Sequence, residues 1–165
     1  MSYIYDLVND KIENFKTRNP FEMCDYCGIY LKFTNELEQL SGMYTVINEI
    51  PTVIINNNND EYVQKMVCAH ELGHHFLHQE IAREKCLQEF HIFNMCDKIE
   101  YEANVFAAHL LIDEDEMLSI LKEGNDCFTA AKILDVDPNL LNLKLSDMNT
   151  MGYKFNTSWG STRIF

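Results

Sequence analysis

The stretch Val67-Cys68-Ala69-His70-Glu71-Leu72-Gly73-His74-His75-Phe76 decides how this chain is read. It holds His-Glu-x-x-His, two histidines four residues apart. At 3.6 residues per turn, positions i and i+4 lie about 40° apart, one above the other on a single helix face. Two imidazoles so placed can bind one Zn²⁺ at about 2.0–2.1 Å each. Glu71 is turned about 100° from His70, beside the metal rather than on it. Its carboxylate is placed to accept a proton from water at the metal, the arrangement of a zinc hydrolase and usually of a peptidase. Val63, Met66, Val67 and Leu77 lie on or beside the histidine face, so His70 and His74 emerge from an apolar side. Buried polar groups need partners, and a metal supplies one. Gly73 costs about 1 kcal/mol relative to Ala in a helix interior, which predicts that something packs closely against the helix backbone there.

Outward from the motif, Asn56 to Asn59 reads as a polar turn and Asp60 as the cap of a helix running to about His78. Before it, Ile29 to Phe33, Met43 to Asn48 and Thr52 to Ile55 read as three short strands, with Ser41-Gly42 and Pro51 as interruptions. They predict a small, largely antiparallel sheet. Residues 3–17 carry Ile4, Leu7, Val8, Ile12 and Phe15 at amphipathic helical spacing. Asn19 caps a second, short helix with Pro20 at its first position and Gly28 past its end. After the motif, residues 79–97 are ambiguous, and Glu89 to Phe93 fits an edge strand or an extended loop. A buried helix resumes near Asp97, followed by an acidic helix from Asp113 to Leu121. A C-terminal helix pair follows, Phe128 to Leu134 and Asn139 to about Met148. The fold class expected is α+β, mainly helical. One domain covers residues 1–148, with the helix pair at 126–148, and an aromatic tail follows at 149–165 that could pack on the body as a strand.

Bulk properties narrow the function. At 165 residues with 47% hydrophobic content, the chain can bury one sizeable core. A net charge of −13 argues against nucleic acid or an anionic membrane as direct partner. The helix pair has only Lys132 and Lys144 as basic residues, too few for a DNA-binding helix-turn-helix. The N-terminus has acids where a signal peptide needs a basic stretch, and no segment reaches membrane-span length. These features predict a cytosolic protein whose six cysteines are reduced thiols. Cys24 and Cys27 form a single Cys-x-x-Cys and read as small core residues near a helix end, with a structural zinc as the lesser reading. Cys68, Cys86, Cys96 and Cys127 carry no assignment.

A catalytic zinc takes three protein ligands and leaves the fourth position for water. The helix from Asp97 offers Glu100 and Glu102, which point about 200° apart. Glu102 has Ile99, Val105 and Phe106 as helical neighbours, where a carboxylate is costly to bury without a cation. Glu100 has Cys96, Asp97 and Asn104, a more polar setting. On this reasoning Glu102 is the third ligand.

His70-Glu71-Leu72-Gly73-His74-His75-Phe76-Leu77-His78 followed by Glu102-Ala103-Asn104-Val105-Phe106-Ala107-Ala108 closely resembles the ImmA/IrrE family of zinc metallo-endopeptidases. The likeness extends over roughly residues 1–148, and the two motifs together are far more specific than His-Glu-x-x-His alone. It implies His70, His74 and Glu102 as zinc ligands and Glu71 as general base. It also implies a protein substrate, a helix-turn-helix repressor whose cleavage releases transcription in mobile elements or stress responses. The chain departs from the family where Ile112-Asp113 replaces Met-Pro after Leu110-Leu111, and residues 149–165 match nothing in it.

Other histidines have plainer expectations. His109 lies seven residues after Glu102 and reads as a hydrogen-bonded core residue, with oxyanion stabilisation in the cleft as the lesser reading. His75 and His78 sit beside the motif in supporting or surface roles, and His91 has no assignment. Two rivals to the enzyme remain. One is an antirepressor that acts by binding, with zinc structural. The other is a purely structural zinc domain that adds Cys24 and Cys27 to close the site.

Overall fold

The computed structural model describes residues 3–89 and 97–157, which form eight helices and four short strands in an α+β arrangement. Strands β1 (Tyr30–Thr34), β2 (Gly42–Ile47) and β3 (Ile50–Asn56) precede the motif helix, as expected. β2 and β3 form a hairpin with Ile47 opposite Ile50. Its two turn residues, Asn48 and Glu49, have φ of 49° and 66°, as a type I′ turn requires at both central positions. β3 pairs with β1 in parallel, beginning at Thr52. Pro51, which has no N–H to donate, therefore lies ahead of that ladder and remains inside the strand. A fourth strand, β4 (Leu87–Glu89), pairs antiparallel with β2, giving the order β1-β3-β2-β4. Of the stretch Glu89 to Phe93, expected as an edge strand or an extended loop, only Glu89 falls in β4, and the rest lies outside the described residues.

The helices make up the rest of the described body. α1 (Tyr3–Phe15) and α2 (Pro20–Tyr26) come first, the latter capped by the Asn19 side chain accepting from the Phe21 N–H. α3 (Glu61–Leu77) carries the motif, and Asp60 Oδ1 accepts from the Val63 N–H at 2.8 Å. A short α4 (Gln79–Glu84) follows in the stretch that the sequence leaves ambiguous. α5 (Lys98–Leu111) is capped by Asp97 and buried from Ala103 to Leu110. α6 (Glu114–Lys122), α7 (Cys127–Ile133) and α8 (Pro138–Thr150) complete the body. Among the described residues, no helix is long and apolar enough to cross a membrane.

Two devices fix α5, the partner of the motif helix. At its C-terminal end, Arg18 Nη1 donates to the carbonyls of His109 and Leu110 at 3.0 and 3.2 Å. Lys144 Nζ donates to the Ile112 carbonyl at 2.6 Å, and burial lowers this ammonium to a pKa of about 8. Cations here answer the unpaired carbonyls and the negative end of the helix dipole. In its middle, Ala103 lies against Gly73 of α3. A Cβ built at Gly73 would meet the Ala103 Cα at 2.8 Å and its carbonyl oxygen at 3.0 Å. This is the close approach that the glycine predicts.

Gly73→Ala should therefore destabilise the protein, even though alanine gains about 1 kcal/mol of helix propensity. Backbone cannot turn aside as a side-chain end can, so α3 and α5 must separate, at a net loss of about 1–3 kcal/mol. Urea unfolding should show a lower midpoint at unchanged slope. A midpoint equal to or above wild type would mean that the contact is not tight.

The tail is anchored without a strand in its described part. Phe155 is buried, and its N–H and carbonyl bond to the Asn149 side chain at 2.7 and 2.9 Å. Trp159 lies outside the described residues.

Candidate metal centre

α3 and α5 meet where the motif faces the first turns of α5. His70 and His74 are almost completely buried, at 0% and 2% exposure. Their Nε2 atoms lie 3.2 and 3.6 Å from one oxygen, Oε2 of Glu100. One ligand atom from each of His70, His74 and Glu100 falls within 4.8 Å of the others, the one set of three metal-binding groups among the described residues. On its other side, the His70 ring meets Asn104 Oδ1 through Nδ1 at 2.9 Å. With Asn104 accepting, the His70 proton sits on Nδ1 and the Nε2 lone pair faces Glu100.

The electrostatics suit a cation. Burial drives the His74 pKa down to about 4, so its imidazole is neutral and keeps a lone pair near pH 7. Burial alone would raise the Glu100 carboxyl, but the imidazoles of His70 and His74 beside it outweigh burial and hold the group well below the usual range. Two neutral imidazole nitrogens and one carboxylate oxygen, buried together, match the donor set of a catalytic zinc site.

Glu102, chosen as third ligand from its helical neighbours, is not in this set. Its Oε2 lies 3.1 Å from His78 Nε2, and its Oε1 accepts from the Tyr3 hydroxyl at 2.6 Å. Lys98 Nζ stands 3.6 Å from the same Oε1. The apolar surroundings of Glu102 on its own helix are real, but its polar partners come from α1, from the end of α3 and, one turn back on α5, from Lys98. Glu100 shares its face with Ala103 and Asn104, and that face is turned to α3. Its polar neighbours mark the site rather than solvent. The close contact predicted at Gly73 was the available signal, because whatever packs on that glycine brings its own helical neighbours to the histidines.

Glu71 is wholly buried on the same helix as the two histidines. Its Oε1 lies against β2, where a Cβ at Gly42 would stand 3.2 Å from it and 2.4 Å from Val67 Cγ1. A side chain here would collide with Val67 and crowd the carboxylate, so the glycine suits the close approach of the strand. Sequence reading took Gly42 as a turn signal and missed this role.

The remaining polar residues fall away from the centre. His75 Nδ1 meets the Tyr44 hydroxyl at 2.9 Å, and burial lowers its pKa to about 4. His109 Nε2 bonds Asp147 Oδ2 at 2.8 Å, while its ring lies edge-on to Tyr5, the placement of a core histidine. Cys24 Sγ lies 3.6 Å from Cys68 Sγ, both buried, and neither cysteine of the Cys24–Cys27 pair belongs to the metal-binding set. His91 and Cys96 lie outside the described residues.

The mainly helical α+β body thus turns two histidines of one helix toward a carboxylate of another, a set of groups that could hold a metal ion. The model of the family described as the IrrE N-terminal-like domain, Peptidase_M78, matches residues 24–146, and the chain belongs to this family. It is similar to Metallopeptidase ImmA of Bacillus subtilis (strain 168), 33% identical over 112 residues, which cover 68% of this chain and 64% of that protein. It is also similar to Uncharacterized immunity region protein 2 of Bacillus phage phi105, 35% identical over 103 residues, 62% of this chain and 64% of the relative. The chain thus matches just under two thirds of the length of each of these curated relatives.

Proposed function

We propose that this chain is a cytosolic zinc-dependent endopeptidase that cleaves a helix-turn-helix transcriptional repressor and so releases the repressed genes. The observation that carries the reading is the buried His70–His74–Glu100 set with Glu71, also buried, on the same helix. His70, His74 and Glu100 are the residues that would hold the metal. A bound Zn²⁺ supplies Lewis acidity, which polarises the scissile carbonyl and makes water a nucleophile near neutral pH. Glu71 takes the proton of the attacking water and returns it to the leaving amine. Asn104 holds His70 in the tautomer that presents Nε2.

Membership of the family supports a metal-dependent peptidase. Similarity to a phage immunity region protein and to Metallopeptidase ImmA supports a phage-immunity setting, in which a repressor is the natural protein substrate. The net charge of −13 suits the basic surface that a DNA-binding protein presents. The test is co-expression with a candidate helix-turn-helix repressor, with fragments identified by mass spectrometry. Discrete repressor fragments are expected, lost with a chelator and restored by zinc. Cleavage that persists in metal-free protein would end this reading.

A further inference from the structure

The His74 ring has a second nitrogen, and what faces it carries an inference that rests on the zinc reading. His74 Nδ1 lies 3.1 Å from His78 Nδ1, one turn further along and past the end of α3. His78 Nε2 lies 3.1 Å from Glu102 Oε2, and the Tyr3 hydroxyl donates to Glu102 Oε1 at 2.6 Å. His74 is 2% exposed and His78 6% exposed, so water has little access to the histidine pair, while the Tyr3 end of the line is open to solvent.

Each neutral imidazole has one N–H donor and one lone-pair acceptor. If His74 Nε2 holds a metal, its proton must be on Nδ1, and the facing nitrogen must accept it. His78 Nδ1 then carries the lone pair, so the His78 proton is on Nε2. That N–H points at a carboxylate oxygen of Glu102, which can only accept while ionised. The Tyr3 hydroxyl donates to the other oxygen of the same carboxylate. Every contact in the line is satisfied by this one assignment, and it runs in a single direction, from the ligand nitrogen outward. Reversing the His78 tautomer would set two N–H groups against each other at His74 and a lone pair against a carboxylate at Glu102.

We infer that His78 and Glu102 are positioning residues for the metal centre. Glu102 fixes the His78 tautomer, and His78 in turn holds His74 with Nε2 open to the metal. Tyr3 ties the end of this line to α1, so the N-terminal helix helps to hold the ligand. The line explains why a carboxylate stands among Ile99, Val105 and Phe106. It is there to accept from a histidine and a tyrosine, not to bind the metal.

The experiment is a zinc titration by competition with a chelator, together with long-range ¹H–¹⁵N spectra of the zinc-loaded chain. Removing an outer partner of a ligating histidine typically weakens metal binding 10–100-fold. Glu102→Leu and His78→Leu should each show such a loss with about one zinc still bound at saturation. Glu102→Gln should stay closer to wild type, because its amide oxygen still accepts from His78. The wild-type spectra should place the His78 proton on Nε2 and the His74 proton on Nδ1, a readout that needs no variant to fold. A His78 proton on Nδ1, or wild-type zinc affinity in folded Glu102→Leu and His78→Leu, would overturn the inference while leaving the zinc reading intact. Wild-type protein that binds no zinc would sink both.

Discussion

Glu71→Gln should retain zinc and fold while losing repressor cleavage by about 10²–10⁴-fold or more, the usual contribution of a positioned general base. The substitution is nearly isosteric, so the close packing of this side chain against β2 at Gly42 is kept. Glu71 is not among the three groups that face one another across the site, so zinc content should be unchanged. What is lost is the carboxylate that takes and returns the proton. Binding of the repressor depends on surface complementarity and should survive, so the variant separates an enzyme from an antirepressor that works by binding. In cells, Glu71→Gln should leave the repressed genes silent. Derepression equal to wild type would make binding, not cleavage, the function.

How much of this was legible in the sequence differs by element. The motif helix was, because an N-cap aspartate, a histidine pair at helical spacing and an apolar face all agree. Gly73 was also informative, since a glycine inside a buried helix needs a reason, and Ala103 supplies it. The sheet was legible as strands but not as pairings. The parallel β1–β3 ladder depends on a loop over residues 35–41 carrying the chain to β2 rather than straight to a neighbour. The hairpin turn hid because Glu49 adopts a positive φ that glutamate seldom takes. α4 hid because Gln79–Glu84 is short and mostly polar, and its fixed place comes from packing beside β2.

Which of the two glutamates faces the histidines was hidden for a different reason. Helical neighbours reveal what surrounds a residue on its own helix, and say nothing about which partner helix that face meets. Two carboxylates two residues apart on α5 are both largely buried, at 17% and 14% side-chain exposure for Glu100 and Glu102. Cost of burial therefore could not choose between them. The choice was made by α3, which turns both histidine Nε2 atoms to Glu100 and leaves Glu102 to His78 and Tyr3.

That choice can be measured through stability. Zinc that binds the folded chain raises its unfolding free energy by RT ln(1 + [Zn]/Kd), about 4.1 kcal/mol at a thousand times the wild-type Kd. Glu102→Ala, which removes an outer partner, should weaken binding 10–100-fold and so keep about 1.4–2.7 kcal/mol of that gain. Glu100→Ala removes one of three ligands, leaving two imidazoles without the carboxylate that completes the set. Its zinc-dependent gain should fall close to zero at the same metal concentration, and repressor cleavage should vanish with it. Urea unfolding of each variant with and without zinc gives both numbers, and the metal-free curves separate loss of binding from loss of fold. The reverse ranking, with Glu100→Ala retaining most of the gain and Glu102→Ala losing it, would return the third ligand to Glu102. It would also require α5 to turn on its axis when zinc binds, because Glu100, not Glu102, now faces the histidines.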